Sequence, residues 1–345
     1  MSARAAYLDR AIGETRGVVT LNQRPERLLI RRDGDPASQR LGARSTARVI
    51  AAERGLSTAF LRMPDGPDVV TPLGPGDSLV QGGSVSVEVM AEPRSGKGAV
   101  VRVLEGAVGP PRLTREAPEL EAWLQLWAPG EIVTGDEARD AADEAQDAAL
   151  MTVHPLPGGG SVSIETTRAL TAIDVDVGAR GGGDGPRAVR QTNLAAIGAG
   201  ARLLRLKGLG GLVVFDLAGQ GHNGPALSAA AKAAFAPDNP GVSIGPISRF
   251  GLFEMALPWR TTPLTERLLD ETGQVSTLTS ALAMMRSLER EARANPGARL
   301  VVRCPPDVAD AAKPYLADLL NRIGSRFSLD AAAGESRTHA EVSIL

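Results

Sequence analysis

The chain has 345 residues, 43% of them hydrophobic and 23% charged, with a formal net charge of −2 at pH 7; this length holds two or three compact units, each with its own core. No run of ~20 apolar residues occurs and residues 1–17 lack the apolar core of a secretion signal, so no membrane contact is expected and the expected location is the cytoplasm. A single cysteine, Cys304, excludes an intramolecular disulfide framework and a multi-cysteine zinc site within one chain.

The net charge does not advertise a nucleic-acid binder, which usually shows a basic excess. Acidic residues gather around 114–147, however, and arginine far outnumbers lysine, so basic surface has room elsewhere. Aromatics make up only 3%, leaving few platforms for base stacking.

In chain order, residues 17–21, 27–31, 46–52, 58–63, 84–91 and 99–104 are expected strands. The run from Ser84 to Met90 alternates small or polar with apolar residues, the period of a half-buried strand. Asp65-Gly66 and Gly82-Gly83 punctuate these runs. Short strands with glycine turns predict a small barrel of the OB type. Residues 106–158 read as a connector with two short acidic helices containing Trp123 and Trp127. From 151 the texture becomes α/β: strands at 161–165 and 169–175 forming a hairpin, a helix over 193–207, a buried strand at 212–216, a helix over 225–235 and a strand at 241–247. A helix over 275–294, a strand at 299–303, a helix over 307–323 and strands at 326–329 and 341–345 complete a small α+β unit. The expected fold class is therefore α/β with an N-terminal OB-type β-barrel, a mixed-sheet subdomain and a small C-terminal α+β domain. The expected boundaries are 1–105, 106–158, 159–262 and 263–345.

Two of the strands end in aspartate, at Asp174 and Asp216. Ligands gather at the carboxyl ends of strands in an α/β sheet, because the loops there open a crevice. Two carboxylates at neighbouring strand ends make a hard-oxygen pocket suited to Mg²⁺. On spacing alone the alternative stands beside it: aspartate after an apolar strand is often a helix cap or turn former.

The surrounding residues are more specific. The run Gly159–Gly178 (GGSVSIETTRALTAIDVDVG) resembles the ribonuclease E/G family pattern GGSxxIxxTEALxAIDVNSG. Residues 192–216, with TNLAA, LLRL and GGLVVFD, resemble TNLEAAxEIARQLRLRDxGGLIVIDF, and Ile247–Met255 (ISRFGLFEM) resembles ISRFGLxEM. At lower density, residues 44–73 with LSTAF at 56–60 are similar to the family's OB domain, EPRSGKG at 92–98 to its EERGxKG turn, and LVVRCPPDV at 300–308 to its small domain.

The resemblance implies a metal-dependent endoribonuclease that cuts single-stranded RNA, in rRNA or mRNA processing or decay, leaving a 5′-phosphate and a 3′-hydroxyl. Asp174 and Asp216 would hold Mg²⁺, with Mn²⁺ as a substitute, for in-line attack of water on the phosphodiester. Phe60 would stack on a base, and Arg94 and Lys97 would touch phosphates. Read without the family, Phe60 is equally a barrel-core residue, and Arg94 and Lys97 a solvated turn. Arg249 and Phe250 are expected to brace the strand against the metal site.

Four departures from the family pattern bear on activity. Asp176 stands where the family has asparagine; it adds either a third catalytic ligand or a charge that repels the phosphate. The stretch directly after ISRFGLFEM, residues 256–264, holds no cysteine, so zinc is not expected and a homodimer would form without a zinc link. Val70 replaces a barrel aromatic, and Gly219 an acidic residue three positions after Asp216. These changes favour an alternative, an RNA-binding family member with weak or lost cleavage. His222, in the following glycine loop, either approaches the metal or sits in a flexible loop. His154 and His339 show no partner pattern, and the Gly181–Gly183 run lacks the context of a phosphate-binding loop.

The fourth departure is the short 106–158 segment, which lacks the VRT-like motif of the family's 5′-monophosphate sensor. Cleavage of one oligonucleotide carrying a 5′-phosphate or a 5′-hydroxyl is expected to proceed at equal rates; a clear preference for the phosphate would refute this.

Overall fold

The computed structural model describes residues 3–178, 185–220, 222–337 and 341–344. The Gly181–Gly183 run and His339 lie outside them.

Strands β1 (Arg4–Ala11), β2 (Glu14–Leu21) and β3 (Arg24–Arg32) form an antiparallel meander. The chain then leaves this sheet to build the barrel from β4 (Arg44–Glu53), β5 (Thr58–Arg62), β6 (Val69–Pro72), β7 (Ser84–Ala91) and β8 (Val100–Ala107). β5 pairs with both β4 and β6, β8 with β6 and β7, and β7 with β4, which closes a five-stranded ring. The alternation seen in β7 is realised: Val85, Val87, Val89 and Ala91 point inward. They meet Ala47, Val49, Leu61, Val69 and Val101 in the barrel core. Strand β9 (Arg112–Arg115) adds to the outside of β4.

Residues 106–158 do more than connect. Helix α1 (Leu120–Trp127) leads to β10 (Ile132–Val133), which pairs in parallel with β1 through Ala6↔Ile132. Helix α2 (Asp136–Leu150) then packs its alanine face on the same sheet. The barrel is therefore an insertion within a unit made of β1–β3, α1, β10 and α2. A two-residue strand whose partner lies about 125 positions away leaves no periodic trace, so this pairing was not expected; β1, an eight-residue strand hairpinned to β2, was not expected either.

A six-stranded sheet follows: β11 (Val153–Pro155), β12 (Ser161–Thr166), β13 (Thr171–Asp176), β14 (Gly211–Asp216), β15 (Ser243–Ile247) and β16 (Leu252–Leu257), ordered β11-β12-β13-β14-β16-β15. β12 and β13 pair antiparallel, as the expected hairpin requires. Helix α3 (Gly185–Lys207) is the crossover between β13 and β14, and α4 (Gly224–Ala234) follows β14. One core cluster contains Val18, Leu28 and Ile30 of the first sheet together with Ile173, Ile197, Leu204, Phe215 and Phe253. The two sheets thus share α2 and α3 between them. Leu212, expected in a buried strand, is exposed, because only one face of β14 is covered.

The remaining chain forms α5 (Leu264–Leu268), α6 (Thr277–Ala294), β17 (Leu300–Cys304), α7 (Pro306–Ala312), α8 (Leu316–Ile323), β18 (Phe327–Ala331) and β19 (Glu341–Ile344). The helix expected over 307–323 breaks at Lys313–Tyr315. Pro314 lies there, and a proline inside a helix removes one backbone bond and clashes with the preceding turn. Cys304 is fully buried in this unit, and burial pushes its thiol pKa up.

Charged side chains lock the units together. Arg16 of β2 is fully buried and donates to Asp9 Oδ2 from Nε at 2.9 Å and Nη2 at 2.6 Å, and to Asp143 of α2 at 2.7 Å. Glu14 pairs with Arg286 of α6 and, at 3.4 Å, with Arg32. Replacing Arg16 with methionine leaves buried carboxylate underpaired and should cost about 3–5 kcal/mol of stability in urea unfolding. The double variant Arg16→Met/Asp9→Leu should recover part of that loss; additive losses would show that the pair is not coupled.

His154 on β11 is buried, and its Nε2 lies 3.1 Å from the Met151 carbonyl, which Lys207 Nζ also contacts at 2.5 Å. Burial first, and Lys207 second, push its pKa from 6.5 down to about 4. The unfolded chain therefore binds the proton more readily than the folded one, so stability is full above pH 6.5 and is lost as pH falls toward 4. The loss is at most about 3 kcal/mol. Urea midpoints between pH 7 and 4 should fall less for His154→Asn than for the wild type; parallel curves would refute the assignment.

Candidate metal and nucleic-acid site

β13 buries Thr171, Ile173 and Val175 against α3 and leaves Ala172, Asp174 and Asp176 on the opposite, open face. β14 buries Val213 and Phe215 and exposes Asp216. The two strands run parallel with Asp174 the direct register partner of Asp216. Residues in register on neighbouring strands share a face, with backbones roughly 4.8 Å apart. The carboxylates expected to converge therefore do stand side by side, and both are exposed.

A serine and a leucine flank them. Ser163 of β12 is the register partner of Asp174, and Leu252 of β16 that of Asp216. One row away, Ala172 and Val214 separate Glu165 from Glu254, so these two acids do not join the pair. Asp176 lies on the same face, but its Oδ1 accepts from Gly178 N at 2.9 Å and closes the loop leaving β13. Among the described residues no group of three or more His, Cys, Asp or Glu side chains is placed to hold a metal. The donor set is thus two adjacent carboxylates opening to solvent, which fits Mg²⁺, a cation that keeps several waters and takes one or two protein carboxylates.

The loop after Asp216 is fixed from behind. Asn193 of α3 donates Nδ2 to the Ala218 carbonyl and accepts from Ala218 N, each at 3.0 Å. Gly219 turns at φ +77°, where a Cβ would meet the Val189 side chain at 2.9 Å; an acidic residue here strains the backbone and needs Val189 to give way. Asn223 then caps α4 by accepting from Ala226 N at 3.1 Å. Asn193 stood inside the quoted TNLAA run without a role; its 25-residue reach to Ala218 has no local signature in the sequence.

This loop and the turn between β15 and β16 enclose an open cleft of about 1020 Å³ at the end of the sheet where β14 finishes. Ser248 Oγ accepts from Phe250 N and Leu252 N at 3.3 Å each, and Gly251 takes φ +85°, so the turn is tight. Phe250 at its tip is 72% exposed, with the Arg249 guanidinium 4.6 Å from its ring centroid. The bracing role expected of Arg249 and Phe250 is therefore corrected: a serine-glycine turn directs the ring away from the core. His222 lies in the cleft, half-buried, and its Nε2 has no hydrogen-bond partner among the described residues.

On the barrel, Phe60 alternates with fully buried Ala59 and Leu61 and so lies on the outer surface, half-buried; the barrel-core reading is excluded. It sits beside its register partners Ala51 and Val70. Arg94 and Lys97 pair across a tight turn, with Arg94 N donating to Lys97 O at 3.0 Å. Lys97 is exposed, whereas the Arg94 guanidinium stacks on Trp259 at 4.7 Å. Burial lowers the Arg94 pKa. Ser95 N and Oγ donate to Glu266, at 2.5 and 2.9 Å, pinning this barrel turn to α5. Arg94 thus orients the turn, leaving Lys97 as its outward cation. Trp259 belongs to the stretch where the family's zinc-link cysteines were sought.

Residues 132–258 match the model of the Ribonuclease E/G family. Ribonuclease E of Haemophilus influenzae is 39% identical over 148 residues, covering 40% of this chain and 16% of that protein. Ribonuclease E of Escherichia coli is 42% identical over 104 residues, or 29% of this chain and 10% of that protein. Ribonuclease G of Salmonella typhimurium is 32% identical over 186 residues, covering 50% of this chain and 37% of that protein. The chain thus spans well under half the length of these relatives. The matched segment contains both aspartates, Asn193 and the Phe250 turn. The similarity to the Ribonuclease E/G family thus rests on residues 132–258, the segment that carries both aspartates.

Proposed function

We propose that this protein is a divalent-metal-dependent endoribonuclease acting on single-stranded RNA and leaving 5′-phosphate and 3′-hydroxyl ends. The observation that carries the reading is the register pairing of Asp174 with Asp216 on an open sheet face inside the family-matched segment. Asp174 and Asp216 would hold the cation, with the backbone two residues past the second fixed by Asn193 at Ala218. A divalent ion bound there supplies Lewis-acid chemistry, lowering the pKa of water and neutralising phosphoryl charge. Phe60, with Ala51 and Val70, offers a small outward apolar surface to a base, and Lys97 a cation to a phosphate. Arg94 acts by orienting that turn against Trp259.

Asp176, engaged with Gly178 N, serves to hold the loop beside the pair; its charge is the feature that favours the alternative, an RNA binder with little cleavage. A cytoplasmic setting and self-association without zinc belong to the same proposal. No helix among the described residues is long and apolar enough to cross a membrane.

Mg²⁺-dependent cutting of an unstructured AU-rich RNA tests the reading. Asp174→Asn and Asp216→Asn should each lower the rate by about 10²-fold or more, a loss of several kcal/mol of transition-state stabilisation. EDTA should abolish cutting by the wild type. Equal cutting by the wild type and the double variant would sink the nuclease assignment and leave RNA binding alone.

A further inference from the structure

The cleft at the Asp216 end of the sheet has a feature that holding a metal does not require. Its rim carries a phenylalanine exposed over 72% of its surface and backed by an arginine. Large apolar side chains left in water usually mark a contact surface when they border a cavity. An aromatic face beside a guanidinium is the pairing that single-stranded nucleic acid exploits: the base stacks on the ring and the phosphate meets the cation. Leu252, two residues past Phe250, is the register partner of Asp216. The turn therefore lies at the same end of the sheet as Asp216, on the neighbouring strand.

We propose that this cleft is a nucleobase-binding subsite in which Phe250 stacks on a base adjacent to the phosphate held at Asp174 and Asp216. Arg249 faces the neighbouring phosphate. The proposal deepens the nuclease reading and rests on it for the identity of the ligand as RNA. Stacking on a single ring is tolerant of sequence.

Binding is measured by fluorescence anisotropy in EDTA, so that no cutting occurs, with a labelled unstructured RNA and with versions carrying one abasic residue at each position in turn. Phe250→Ala should weaken binding about tenfold, while Phe250→Trp should stay within about twofold of the wild type. One abasic position should weaken wild-type binding by a similar factor and cost Phe250→Ala nothing further. Wild-type affinity in Phe250→Ala overturns the subsite, as does an absence of RNA binding by the wild type or an abasic penalty unchanged by the substitution. The nuclease reading is judged separately, by Mg²⁺-dependent cutting: its failure with the stacking result intact would leave a base-binding cleft on a non-cleaving protein.

Discussion

The parallel register of two strands is the constraint on which the candidate site depends. Parallel neighbours cannot be joined by a tight turn; they need a crossover, which the 23-residue helix α3 provides. Because side chains alternate with a period of two, a slip of one residue would send Asp216 into the core and Phe215 into water. The slip is blocked from both ends of α3. A Cβ at Gly200 would lie 2.6 Å from the Phe215 ring, so the helix seats on that ring only because position 200 is glycine. Asn193, two turns earlier, grips both backbone groups of Ala218 just beyond Asp216. The residues that place the carboxylates thus lie behind the sheet, while the face where chemistry would occur stays open.

The same economy governs how the barrel is held. Since it is inserted between β3 and α1, its position is set by contacts at its base rather than by a linker. Glu92 N donates to Arg260 O at 2.9 Å, and the Glu92 carboxylate accepts from Thr262 N at 3.1 Å. Arg94 on Trp259 and Ser95 on Glu266 complete the joint. All of these reach the segment that directly follows β16, so the barrel turn and the sheet carrying the aspartates are fastened to one stretch of chain. Arg16 and its partners make the corresponding joint between the first sheet, α2 and α6. Buried arginines with paired carboxylates hold orientation at little net gain in stability, because desolvation offsets most of the attraction.

Local pattern was enough for much of this protein. The alternation of Ser84–Met90 specified a barrel strand, the spacing of Leu194, Ile197, Ala201 and Leu204 a helix, and the two strand-ending aspartates, within residues matching a family pattern, a candidate metal pair. These properties are written in neighbouring residues, since burial of one face imposes a period on the sequence. What depended on distant partners was not legible. Ala6 and Ile132 pair across the whole barrel, and a strand of two residues carries no period of its own. Phe60 and Phe250 make the point most sharply. An aromatic residue has the same composition whether it fills a core or faces solvent, and only the closed ring of strands and the tight Ser248 turn turned both outward. The amino-acid order determined which residues could do chemistry; the packing of elements far apart in the chain decided which of them stand together, because register and exposure are properties of the assembled sheets.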